Sequence, residues 1–200
     1  MEQAKLSLRD KPAARWGALA LLSLTMFFAY MFVDVLSPVK TLVETELGWD
    51  STIFGLYGGS EFFLNVFIGF LILAGIILDK MGVRFTAILS GAVMLTGALI
   101  KYYAISDSFA GSALDVWFTD HLNHIPVFEQ LGVSPFYEGM PASAKVAACG
   151  FMIFGCGTEM AGITVSRGIV KWFKGREMAL AMGSEMALAR LGVATCMIFS

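Results

Sequence analysis

Residues 151–200 read FMIFGCGTEMAGITVSRGIVKWFKGREMALAMGSEMALARLGVATCMIFS. Two apolar runs, each approaching the length of a membrane span, are joined by the basic connection KWFKGRE, and each carries ionisable residues in its interior. Glu159 lies in the first run, and Glu185 and Arg190 lie in the second. A charged group inside hydrocarbon costs a few kcal/mol, so such residues mark functional positions and the remaining apolar segments act as the scaffold that tolerates them.

Composition agrees with a membrane setting. Of the 200 residues 57% are hydrophobic and 15% charged, with a mean hydropathy of +0.72, whereas soluble domains hold about 25% charged residues. The net charge of -2 leaves no basic domain for nucleic acid. Cys149, Cys156 and Cys196 all fall in apolar segments without metal-ligand spacing and read as small packing residues. His121 and His124 stand at i, i+3 in a polar interval with no HExxH arrangement, so they read as solvated surface residues and no metal or cofactor is expected. No nucleophile elbow or phosphate-binding glycine loop is present, which argues against a membrane enzyme.

Outward from the quoted stretch, the chain resolves into an all-α integral membrane bundle with five expected spans, near 16–36, 52–78, 85–103, 145–170 and 178–200. Residues 1–15 form a polar tail, and residues 104–144 form a long acidic loop whose segment DVWFTDHLNHIPVFEQLG fits either an interfacial helix or a folded loop. The second span is rich in glycine, which lets helix backbones approach closely in lipid. Lys and Arg concentrate in the tail, at Lys80 and Arg84, and at Arg167, Lys171, Lys174 and Arg176. Lys40, Lys101 and Lys145 are assigned to the opposite loops, so the N-terminus is expected in the cytoplasm and 104–144 outside.

After the second span the chain reads GIILDKMGVR, with Gly75, Asp79, Lys80, Gly82 and Arg84. A tight turn needs glycine, and the flanking acid and base can pair with each other or with a neighbouring helix end. This resembles the signature loop between helices two and three of the major facilitator superfamily, with Val83 and Arg84 where that pattern usually has two basic residues. The run WFKGREMALAMGSEMALARLG is similar to the region joining helices four and five in the lysosomal dipeptide transporter branch, the MFSD-one-like proteins, and FAYMFVD in the first span adds a third point of likeness.

The resemblance implies an N-terminal helical bundle of the major facilitator fold, with the C-terminal half of the same protein missing from this chain. It also implies a secondary transporter moving a dipeptide or similar zwitterion by alternating access. Glu159 and Arg190 match the family positions that hold the charged ends of the peptide. Other small organic anions or nutrients are the alternative cargo, and a non-transporting adaptor or receptor using the outward loop is the rival of a different class. The implied location is a bacterial inner membrane, or the lysosomal membrane in a eukaryote, and the implied partners are the lipid bilayer and a small-molecule substrate. The sequence is silent on proton coupling and on an accessory subunit.

Counting residues supports the pairing independently. Glu159 precedes Lys171, and Arg190 follows Arg176, by distances that place them roughly 18 and 21 Å from the cytoplasmic side at about 1.5 Å per residue. Opposite charges at one depth suit a zwitterion, with the guanidinium taking the carboxylate in bidentate fashion; they would equally neutralise each other between packed helices. Glu185 and Arg190 lie roughly 140° apart around one helix. Glu185 therefore pairs elsewhere, faces the cavity or titrates a proton. Glu61 lines the cavity, serves as a proton site or bonds a facing helix, and Asp34, near the outward end of the first span, is a weaker cavity candidate.

Overall fold

Pro12 opens the first helix where its fixed φ and missing N–H cost nothing. The computed structural model describes residues 11–123, 130 and 135–198, so most of the expected tail, together with His124, lies outside the described residues. The elements are α1 (Pro12–Val33), α2 (Lys40–Leu47), α3 (Ser51–Ser60), α4 (Phe63–Phe67), α5 (Phe70–Ala104), α6 (Ala113–Asp120), α7 (Ala142–Phe173) and α8 (Met178–Ile198). Among the described residues there is no strand. Three helices, α1, α5 and α7, are long and apolar enough to cross a bilayer, which fits a multi-pass membrane protein.

α5 is not one straight rod. Gly82 within it has φ 80° and ψ 169°, a combination reserved for glycine, and contacts with α7 show that the chain reverses there. Before Gly82 the chain runs parallel to α7. Trp49 Nε1 donates to Ser143 Oγ at 3.0 Å, Ser60 Oγ to the Ala148 carbonyl at 3.3 Å, and Arg167 bridges Asp79 at 3.1 Å. After Gly82 the direction is opposite, with Met94 and Ser90 against Gly157, then Gly97 against Gly150 and Phe154. The expected turn thus narrows to one residue, flanked by helix on both sides.

The expected span at 52–78 is interrupted. Helix stops at Ser60, resumes at Phe63, breaks again after Phe67 and restarts behind Gly69, which has φ 67°. Hydropathy is blind to such breaks because the apolar composition runs through them.

α1 and α8 run parallel to each other, tied by Arg15 to Glu177 at 3.0 Å, by Gly192 against the Phe27 carbonyl, and by the Cys196 thiol donating to the Asp34 carbonyl at 3.5 Å. α1 lies antiparallel to α7, Trp16 meeting Phe173 edge-on and Leu22 meeting Gly168. One core gathers Trp49, Tyr57, Phe109, Phe136, Phe151 and Phe154. The other gathers Leu19, Met26, Val165, Ile169, Phe173 and Ala181. Apolar stripes such as Leu21, Leu24, Phe28 and Phe32 on α1, and Ile88, Leu95 and Leu99 on α5, remain exposed as a lipid-facing surface requires.

The interval 104–144 contains a helix. Ser112 Oγ caps α6 by accepting from Asp115 N at 3.2 Å. Lys145, assigned from sequence to an outward loop, is instead fully buried in the first turn of α7. Its ammonium donates to the carbonyls of Phe118 at 2.9 Å and His121 at 3.4 Å and to Asn123 Oδ1. It satisfies acceptors at the C-terminal end of α6, where a cation also complements the helix dipole.

The packing of α7 depends on small residues. A Cβ at Gly155 would collide with the backbone carbonyl of Glu61 and lie 2.8 Å from its Cγ. At Gly157 it would lie 2.7 Å from Met94 N. Gly91, by contrast, has nothing within 4 Å. Gly155→Ala is expected to destabilise the bundle by about 1–3 kcal/mol through overpacking, read as a lowered thermal unfolding midpoint in detergent, while Gly91→Ala leaves the midpoint unchanged or slightly raised.

Candidate functional site

The titratable side chains inside the bundle collect around two tyrosines. Tyr30, in the last turns of α1, lies within Coulombic range of Glu159, Arg190, Glu185 and Glu61. Arg190 stands with its guanidinium carbon 5.9 Å from the Tyr30 ring centroid, a cation–π approach that leaves its N–H groups unspent. Among the described residues Glu159 and Arg190 form no ion pair with each other or with a third group. Both act on Tyr30, one from α7 and one from α8.

Glu159 marks a transition along α7. From residue 142 to 158 the helix is almost wholly buried, and from Glu159 onward one face opens through Gly162, Ile163, Ser166, Arg167 and Val170. That face borders a cavity of about 520 Å³ shared with Gly75, Leu78 and Asp79. Glu159 stands toward one end and the Asp79–Arg167 bridge toward the other. The turn motif and the intramembrane acid, unrelated in sequence, thus share a wall. Lys80 and Arg84 are exposed beside Gly82.

Glu185 and Arg190 occupy different faces, as their five-residue spacing predicts: Glu185 is 6% exposed and Arg190 is open. Glu61 sits at the first break of the interrupted span, 7% exposed. Its backbone is pressed against α7 at Gly155, and Asn65 Nδ2 donates to its carbonyl at 3.5 Å. Asp34 caps the end of α1, accepting from Ser37 Oγ at 3.4 Å.

Sequence reasoning missed two residues. Lys101, assigned to an outward loop, is 5% exposed in the last turn of α5. Its ammonium donates to the Phe32 carbonyl at 3.2 Å and rests over the rings of Phe151 at 4.1 Å, Phe154 at 5.0 Å and Tyr57 at 5.7 Å. Glu61 and Asp34 are the acids near enough to act on it. A lysine at a span end normally snorkels; nothing in GALIKYYA distinguishes one that turns inward. Tyr57 is the second, 3% exposed, stacked on Phe151 at 4.8 Å, with a hydroxyl that bonds no described residue.

Chemically, the arrangement offers a carboxylate and a guanidinium that pair with no described residue near one tyrosine, and beside them two acids and one caged lysine. Removing the lysine alone leaves the buried Glu61 and the half-buried Asp34 without the cation in their range, so Lys101→Met is expected to destabilise the protein by about 1–3 kcal/mol. The double variant Lys101→Met with Glu61→Gln recovers part of that loss. A double-mutant cycle of thermal unfolding checks the coupling; additive losses would mean that the two residues do not interact. No protein-family model, curated protein or solved structure matches the chain.

Proposed function

We propose that the chain is the N-terminal helical bundle of a secondary transporter of the major facilitator type, moving a dipeptide or similar small zwitterion by alternating access. The observation that carries this reading is that Glu159 and Arg190, on adjacent helices, both act on Tyr30 and form no ion pair among the described residues. A buried or half-buried charge pair serving only as structural glue closes into a salt bridge with its hydrogen bonds satisfied. Here both groups retain their valence, as a site awaiting the two ends of a ligand would.

The bundle has the directions this reading needs. α1 runs one way, the interrupted segment 51–81 returns, the arm of α5 after Gly82 runs forward again, α7 returns and α8 runs forward. Under this reading those directions amount to five passes, with the basic connector 171–177 and the Gly82 turn on one side, the side expected to be cytoplasmic. The interrupted second pass is characteristic of transport sites, since irregular backbone survives at membrane depth only where protein or a cavity surrounds it.

In this reading the peptide ammonium meets Glu159 and its carboxylate lies on the Arg190 guanidinium, a planar donor fork suited to a bidentate contact. An opposing bundle completes the cavity, and rocking about the midplane exposes it alternately to the two sides. The Asp79–Arg167 bridge spans two passes near the cytoplasmic side, with both side chains more than half exposed. Such a bridge contributes about 0–1 kcal/mol, little enough to open and close with the cavity.

Uptake of a labelled dipeptide into proteoliposomes by the complete transporter tests the assignment. Arg190→Ala is expected to lower uptake by roughly two orders of magnitude, the loss of a bidentate charge-assisted contact, with membrane insertion unaffected. Undiminished uptake would sink the assignment.

A further inference from the structure

Near the end of α1, a cavity of about 280 Å³ is lined by Asp34, Phe54, Tyr57, Glu61, Phe62 and Phe151, among others. Its wall combines two carboxylates, two hydroxyl-bearing residues, Ser37 and Tyr57, and several aromatic rings. The hydroxyl of Tyr57 is buried, bonds no described residue, and lies within Coulombic range of Glu61 and Asp34. One carboxylate, that of Asp34, takes a single side-chain hydrogen bond, from Ser37. The carboxylate of Glu61 takes none from a described residue, and no ion pair within 4 Å neutralises either acid.

Asp34 and Glu61 are the acids that act on Lys101, and Lys101 is the one cation among the described residues that acts on Glu61. The walls show what kind of cation they accommodate. Two of the rings that line the cavity, Tyr57 and Phe151, already carry the Lys101 ammonium on their faces, at 5.7 and 4.1 Å. Aromatic faces with carboxylates at the rim are the chemistry that recognises an ammonium group on an organic stem. A bare metal ion would instead demand a shell of oxygen donors, and the rings supply none.

We propose that this cavity is a second binding site, specific for an organic primary ammonium ion. The ammonium donates to Glu61 and to Asp34, while its alkyl stem lies against Phe54 and Phe62. Its positive charge gives the two acids a second cation besides Lys101. The site does not involve Glu159 or Arg190 and therefore stands apart from the transport reading above.

Butylammonium chloride is the probe, with butanol as the uncharged isostere and sodium chloride as the ionic control, titrated against the purified chain in detergent. Thermal unfolding followed by tryptophan fluorescence reports binding without any uptake assay. Butylammonium is expected to raise the unfolding midpoint saturably, butanol and sodium chloride not. Glu61→Gln and Asp34→Asn are each expected to weaken the apparent affinity at least about tenfold, the loss of a charged hydrogen bond. An equal effect of butanol or sodium chloride, no stabilisation at all, or full affinity retained in the Asp34 and Glu61 variants would overturn the proposal.

Discussion

Backbone contact between α7 and the chain on either side of Gly82 is the constraint from which the rest of the bundle follows. In lipid no hydrophobic effect draws helices together, so association depends on close packing of small residues. Gly150, Gly155 and Gly157 supply it on α7, and Gly97 supplies it on α5; at each a Cβ would strike a neighbouring backbone atom. The contact at Gly155 holds the Glu61 segment, which has already lost its helical hydrogen bonding, against a helix that is buried around its circumference. The contact at Gly150 brings α7 against Lys101, whose ammonium settles among Phe151, Phe154 and Tyr57. Two of the buried charges are therefore consequences of a glycine stripe.

The charges then divide into two populations with different physics. Lys101, Lys145 and Arg15 are buried and compensated, by carbonyls and rings, by the end of α6, and by Glu177. They fasten elements together, and their cost is offset locally. Glu159 and Arg190 are neither deeply buried nor paired. A ligand-binding pair must remain in that condition, because a satisfied pair has little left to give a substrate. The open stripe of α7 that begins at Glu159 and the shared cavity reaching Asp79 show where the bundle yields space, on the face that an opposing bundle would complete.

Much of this was legible in the chain. Hydropathy located α1, α7 and α8 within a few residues, GIILDKMGVR announced a tight reversal, and counting from the basic connector put Glu159 and Arg190 at one level. The structure brings those two residues to the same tyrosine. What stayed hidden depends on direction rather than composition. The breaks at Ser60 and Gly69 lie inside an unbroken apolar run, so no window average registers them. Lys101 and Lys145 stand at span ends, where a lysine can turn outward to water or inward to an acceptor. The inward choice is dictated by Phe32, Phe118 and three aromatic rings distant in sequence. α6 is short and mostly exposed, held by its Ser112 cap, by Lys145 and by Phe118 against the core rather than by a continuous apolar face.

The central claim is that Glu159 and Arg190 hold the two charged ends of one small molecule. Calorimetric binding of a dipeptide and its end-blocked analogues to the purified complete protein addresses it most directly. Acetylating the amine or amidating the carboxyl group should each weaken binding at least about tenfold, the worth of a charge-assisted contact, and blocking both ends should abolish it. A doubly blocked peptide that binds as tightly as the free zwitterion would contradict the account.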